Sequence, residues 1–168
     1  MDWIIQPLTR FHDRQHFDCG DQDLNSYLQY TARQHSEKGI ARTFVAVDDT
    51  NPSEIQGFFT LVSCEIFVEK LPKKFAKKYP SRAPAVKLAR LAVASQLQRK
   101  GLGSYLLLDA MDRVLRITEH LGIIGFFVDA KHEEAAKFYR RFGFLPLPDN
   151  ALELFLPLAT LQEAFENR

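Results

Sequence analysis

Long apolar runs are missing from this chain. No stretch approaches the ~18 uninterrupted apolar residues that a membrane-crossing helix requires, so no membrane partner is expected. Cysteine is scarce: Cys19 and Cys64 form neither a CxxC pair nor a disulfide framework and read as reduced thiols of a cytoplasmic protein. The start, Met1-Asp2-Trp3-Ile4, lacks the basic residues and cleavage site of a secretory leader. Metal-ligand spacing is missing as well. His12, His16 and Cys19 lie close together without a second ligand cluster, so they read as loop residues and no metal is expected. Neither sign of charge is in excess, the net being +1, which removes a global electrostatic argument for nucleic acid. Repeats, low-complexity tracts and linkers are absent, and 168 residues with 46% apolar content suit one domain, 1–168, with a substantial core.

The cations that are present are unevenly placed. Lys70, Lys73, Lys74, Lys77, Lys78, Arg82 and Lys87 share one segment in which Glu69 is the only acid. Such a run is either a solvated loop or a polyanion contact, since clustered Lys and Arg displace counterions from phosphates whatever the overall charge.

Apolar periodicity predicts a strand over 4–8 and a helix from about Leu24 to Glu37, stopped by Gly39. A hairpin of 42–47 and 55–68 follows across the turn cluster 48–53. Prolines 72, 80 and 84 interrupt regular sheet, leaving room for a short helix near Phe75 and Ala76. Val86 to Val93 reads as a strand. From about Ser104, residues Leu106, Ala110, Val114, Ile117 and Leu121 form one helical stripe, closed by Gly122. A strand over 123–129, a helix carrying Ala135, Phe138, Tyr139 and Phe142, a strand over 152–156 and a terminal helix over 160–165 complete the pattern. The β-α-β order from Val86 implies a parallel pair with a right-handed crossover. The fold class is therefore α/β (α+β), with a mixed, mostly antiparallel sheet and helices on its faces.

Gln98-Arg99-Lys100-Gly101-Leu102-Gly103 lies between the 86–93 strand and the 104–121 helix. A strand, a glycine turn and a helix N-terminus together seat an anion, because the first backbone N–H groups are free and the helix dipole favours negative charge. Neither the G-x-G-x-x-G nor the G-x-x-x-x-G-K-[ST] spacing is met. What remains is Q-x-x-G-x-G, and downstream Ala135, Phe138, Tyr139, Gly143 and Phe144 fill an A-x-x-F-Y-x-x-x-G-F pattern.

In these two motifs the chain resembles the acetyl-CoA-dependent N-acetyltransferases of the GNAT superfamily. The resemblance implies a single GNAT domain with a splayed central parallel strand pair. Acetyl-CoA would bond through its pantetheine to the backbone of Leu91, Ala92 and Val93, with a backbone N–H near Val93 facing the acetyl carbonyl. Its diphosphate would rest on Gln98, Arg99, Lys100, Gly101, Leu102, Gly103 and Ser104. Tyr139 would donate a proton to the departing thiolate. Many members carry Asn where this chain has His132, so His132 is either a cofactor contact or a helix cap. No general base stands out; Glu37, Glu65 and Asp129 are the carboxylates considered. The absence fits an acceptor such as an α-amine, with a pKa near 8 rather than the ~10.4 of lysine.

Further stretches, 17-FDCG-20, 24-LNSYL-28, 59-FTL-61, 90-RLAV-93 and 154-LFLPL-158, are similar to the GNAT toxins of bacterial type II toxin–antitoxin systems. That likeness implies acetylation of the α-amino group of aminoacyl-tRNA and a translation block, by a homodimer held inactive by a ribbon-helix-helix antitoxin. Lys73, Lys74, Lys77, Lys78 and Arg140 would then face the tRNA. Ala94 stands where that group often has an acid. Two alternatives stay open at this point: acetylation of a protein or small-molecule amine, and a non-catalytic acyl-CoA-binding module.

Overall fold

The computed structural model describes residues 2–166. Its strands are β1 (Trp3–Pro7), β2 (Arg42–Asp48), β3 (Gly57–Phe67), β4 (Arg82–Val93), β5 (Gly125–Asp129), β6 (Leu145–Leu147) and β7 (Asn150–Pro157), hydrogen-bonded in the order β1-β2-β3-β4-β5-β7-β6. Pairing is antiparallel for β1/β2, β2/β3, β5/β7 and β6/β7, and parallel for β4/β5. The mixed, mostly antiparallel sheet with one parallel pair agrees with the expected class. Register sets Val86 against Phe126 and Leu88 against Val128.

The chain divides into two compact units, one of residues up to Val62 with Ala89–Ala110, the other of Ser63–Leu88 with residues from Met111 onward. In the first, α1 (Gln22–Ser26) begins at Asp21, whose carboxylate accepts from the N–H groups of Asp23 and Leu24. A π-helical turn, Tyr27–Thr31, leads into α2 (Ala32–Glu37). Phe17, Tyr27, Leu28, Ala32, Val45, Val47, Phe58 and Ala92 pack as its core, and full burial of a side chain such as Leu28 stabilises by roughly 1.5–3 kcal/mol.

The second unit holds α3 (Lys73–Ala76), α5 (Glu133–Arg140) and α6 (Leu158–Glu163). Val68, Leu71, Ala85, Phe127 and Phe155 form its core, with the Phe127 and Phe155 rings stacked at 4.7 Å. Gly125 is required there by close approach: a Cβ would overlap the Leu156 carbonyl oxygen and come within 2.5 Å of Phe155 Cε1.

Several boundaries differ from the sequence reading. The helix expected from Ser104 to Leu121 is α4 (Leu102–Ile117). It starts earlier because Tyr105 N–H already bonds to the Gly101 carbonyl. Its stripe ends before Leu121, which is 61% exposed, because the N–H groups of Thr118, Glu119 and His120 bond three residues back rather than four, tightening the chain out of α geometry. β4 begins at Arg82 and contains Pro84, whose carbonyl still accepts from Ile124 N–H. β6 lies outside the expected pattern: three residues containing Pro146 carry too little periodicity to read as a strand.

Candidate active site

The sequence-selected residues fall into two sets, one in each unit. In the first unit, β4 ends at Val93, a 3-10 turn (Ser95–Leu97) follows, and the chain enters α4 through Gln98–Gly101. Tyr105 N–H, bonded to Gly101 O at 3.1 Å, closes the first helical turn. The N–H groups of Leu102, Gly103 and Ser104 therefore precede the intrahelical ladder and point out of the helix end. Gly101 has φ +92° and Arg99 φ +65°. The first suits glycine; the second costs an L-residue roughly 1–2 kcal/mol, and bends the loop so that four consecutive residues lead into one helix end. Arg99 and Lys100 are exposed and take part in no ion pair among the described residues. Two unneutralised cations beside three free N–H groups make a seat for a diphosphate. The Ser104 hydroxyl is half-buried at the same end and has no protein partner among the described residues.

Gln98 has a different task. Its side-chain amide donates to Val93 O and Cys19 O, each at 3.1 Å, so it ties the loop to the strand end and to the segment before α1. That segment is braced in turn. Asp18 O accepts from Ser95 N–H at 2.9 Å, Asp18 Oδ1 accepts from Gly20 N–H and the Asn25 amide, and Asn25 Oδ1 accepts from Cys19 N–H. These donors hold the Asp18 carboxyl below the usual carboxylate range. The 17–20 and 24–28 stretches thus buttress the loop at 95–98.

In the second unit, α5 carries Tyr139. His132 caps the helix, its Nδ1 accepting from Ala135 N–H at 3.2 Å. Glu133 and Glu134 lie in the first turn, favourable to the helix dipole. The Tyr139 ring is 7% exposed, set edge-on to Phe138 and Phe144 at 5.2 and 5.6 Å. Its hydroxyl makes no hydrogen bond among the described residues. Every fully enclosed side-chain N or O among them has a partner, so the phenol oxygen is not sealed in. A buried ring with an open polar tip is the form a proton donor takes. Burial also pushes the Tyr139 pKa well above the ordinary tyrosine value, keeping the proton on oxygen at neutral pH. Phe138 and Phe142 pack on one another at 5.3 Å.

Lys73, Lys74, Lys77 and Lys78 are exposed on α3 and the turn after it, and none joins an ion pair among the described residues. Lys74 and Lys78 lie over the Phe75 ring at 4.9 and 5.7 Å. Arg140 is committed elsewhere, to Glu133 at 2.7 Å. The three carboxylates considered as bases are also engaged: Glu37 with Arg33, Glu65 with Arg82, and Asp129 with Lys87.

One cluster escaped the sequence reading. The Arg90 guanidinium lies 3.6 Å from the Tyr27 ring centroid, and the Tyr27 hydroxyl meets His35 Nδ1 at 3.1 Å. The π turn brings these residues together, and nothing in the sequence pattern marks such a turn.

Residues 39–146 match the model of the acetyltransferase (GNAT) domain family. The tRNA-acetylating toxin of Mycobacterium tuberculosis (strain ATCC 25618 / H37Rv) is 34% identical over 140 residues, 83% of this chain and 82% of that protein. AtaT complexed with acetyl-methionyl-tRNAfMet superposes with a TM-score of 0.90 at 34% identity, covering 98% of this chain and 99% of that one. A tyrosine-to-phenylalanine variant of the AtaT toxin, bound to the C-terminus of the antitoxin AtaR and acetyl-CoA, gives 0.81 at 32% identity, with 99% of each chain covered.

Proposed function

The chain belongs to the GNAT acetyltransferase family, and from that premise we propose that it transfers acetyl from acetyl-CoA to the α-amino group of an aminoacyl-tRNA and so acts as a translation-blocking toxin. Its relatives include a tRNA-acetylating toxin and a toxin complexed with an acetylated aminoacyl-tRNA. The observation that carries the acceptor reading is the exposed group Lys73, Lys74, Lys77 and Lys78, which has no carboxylate partner among the described residues. Unneutralised ammonium groups at this density suit a phosphate backbone. A solvated loop would gain as much from interspersed acids, and here Glu69 is the only one.

In this reading the α4 N-terminus, Arg99 and Lys100 hold the diphosphate of acetyl-CoA, while the backbone of Leu91–Val93 pairs with its pantetheine. The amine nitrogen attacks the thioester carbon, and the new N–C bond pushes charge onto the carbonyl oxygen. A backbone N–H near Val93 stabilises that charge, an interaction worth about 3 kcal/mol in comparable oxyanion holes. As the C–S bond breaks, Tyr139 passes its proton to sulfur. The proton shed by the amine returns to the phenol through water, since burial makes a lasting phenolate unfavourable. With Glu37, Glu65 and Asp129 all ion-paired, an α-amine, already partly neutral at pH 7 where a lysine is almost wholly charged, is the acceptor this chain serves best. The 168 residues act as one catalytic domain, a cytoplasmic homodimer held in check by a ribbon-helix-helix antitoxin; the AtaT toxin bound to the C-terminus of its antitoxin AtaR supports the antitoxin part of this reading alone.

The test is incubation with radiolabelled acetyl-CoA and charged tRNA. Label on the aminoacyl α-nitrogen is the expected result. Label on a protein N-terminus, a lysine or a small amine, with charged tRNA unlabelled, overturns the acceptor; tight cofactor binding with no turnover overturns the catalysis.

A further inference from the structure

The α1–α2 segment of the first unit leaves an open recess of about 440 Å³ beside β4, within the ~300–1,000 Å³ common for small-ligand sites. Three of its walls are Tyr27, Tyr30 and Arg90. Tyr30 is 62% exposed and makes no ring contact or hydrogen bond among the described residues. Arg90 lies over the Tyr27 ring at 3.6 Å and pairs with no carboxylate among the described residues, although Asp23 lines the same recess. His35 fixes the Tyr27 hydroxyl from behind. The turn itself is unusual: Ala32 N–H reaches back five residues to Tyr27 O, a wide π geometry that is frequent at functional sites.

We propose that Tyr30 and the Arg90–Tyr27 pair form a stacking platform for an unpaired nucleobase at the 3′ end of the acceptor tRNA. This rests on the acceptor reading above and deepens it. Single-stranded RNA is gripped by aromatic faces and guanidinium planes on which splayed bases stack, with a cation near the phosphate. The recess offers one free aromatic face, one cation backed by a ring, and no opposing apolar wall for an aliphatic chain. Arg90 directly precedes Leu91–Val93, so at ~3.3 Å per strand residue the platform lies about 10 Å along the strand from the Val93 backbone assigned to the acetyl carbonyl. A terminal nucleotide held there leaves its aminoacyl ester at the reacting end of β4.

Tyr30→Ala tests the platform, with Tyr30→Trp as the conservative variant and Arg90→Lys keeping charge without a plane. Steady-state kinetics would be read with charged tRNA varied and with acetyl-CoA varied. Losing one base–aromatic stack should raise the KM for charged tRNA about 5- to 100-fold in Tyr30→Ala, with a smaller change in the KM for acetyl-CoA. Tyr30→Trp should return the tRNA KM to within about threefold of wild type, because stacking is tolerant of ring identity. Arg90→Lys should raise it as Tyr30→Ala does. An unchanged tRNA KM in Tyr30→Ala and Arg90→Lys, with wild type active on charged tRNA, overturns the platform alone. Wild type inactive on charged tRNA but active on another amine overturns the acceptor reading, and the platform with it.

Discussion

Tyr139→Phe separates a catalytic phenol from a packing ring because the substitution removes one oxygen and nothing else. The ring would keep its contacts with Phe138 and Phe144. The lost hydroxyl has no hydrogen-bond partner among the described residues, so folding loses no bond. An unpartnered hydroxyl contributes nothing or costs up to about 1 kcal/mol when its tip stays open, so the variant should melt at the wild-type temperature or up to about 4 °C higher. Transfer should slow by about 100-fold or more, the lower range for a general acid, equivalent to about 2.7 kcal/mol of barrier. Rapid-quench single turnovers with acetyl-CoA bound, alongside thermal melts, would read both quantities. The pH profile adds a sign. Burial raises the Tyr139 pKa above its ordinary value, so the wild-type rate should climb with the acceptor amine near pH 8 and show no fall from phenol ionisation below about pH 10. In the unfolded chain this tyrosine ionises first. Its contribution to stability is thus complete below about pH 10 and lost as pH rises beyond that, a loss the phenylalanine variant lacks. Full single-turnover rate in Tyr139→Phe refutes the acid role, and a rate loss accompanied by a drop of several degrees in Tm assigns the residue to packing.

Gly101→Ala places an L-residue at φ +92°; the strain of roughly 1–2 kcal/mol should appear as a rise of about 5- to 30-fold in the KM or Kd for acetyl-CoA, measured by calorimetry. His132→Ala removes the Nδ1 cap on Ala135 N–H and should lower stability by about 0.5–2 kcal/mol in urea titrations, while His132→Asn restores it. Lys73→Ala with Lys77→Ala should weaken charged-tRNA binding and flatten its log–log salt dependence by about 0.7–0.9 for each phosphate no longer neutralised, leaving acetyl-CoA affinity unchanged.

Much of the chain was legible because its elements are long and strongly patterned. Leu106, Ala110 and Val114 repeat at helical spacing and are all buried, and the Val86-to-Asp129 order required a parallel pair, which β4 and β5 form. Legibility failed where local hydrogen bonding overrides periodicity. Leu121 continues the stripe by arithmetic, yet the three-residue bonds of Thr118, Glu119 and His120 end the helix before it. The π turn at 27–31 is invisible for a related reason: one extra residue per turn changes which side chains meet without changing composition. Of the site, Gly101 and the helix end could be read from spacing, since glycine before an amphipathic run marks a turn into a helix. The pairing of Arg140 with Glu133 could not, because seven residues separate them.

The resemblance in 17–20 and 24–28 gains a physical reason from the loop it supports. Arg99 sits in a left-handed conformation that an L-residue avoids, so the loop needs bonds that over-determine its path. Gln98 supplies two, and one of them ends on Cys19 O. Asn25 is buried and holds the Cys19 N–H and Asp18 carboxylate together, while Asp18 O receives Ser95 N–H. Residues some 70 to 80 positions apart are therefore one mechanical part. If that is so, Asn25→Ala acts at a distance: it leaves a buried backbone N–H unpaired, at about 1–3 kcal/mol, and loosens the segment on which Gln98 anchors. The variant should lose acetyl-CoA affinity although Asn25 is itself outside the diphosphate seat, and Gln98→Ala combined with it should add less than the sum of the two single losses. Strict additivity would mean that the 17–28 segment and the glycine loop are independent, and that the shared motif has some cause other than this brace.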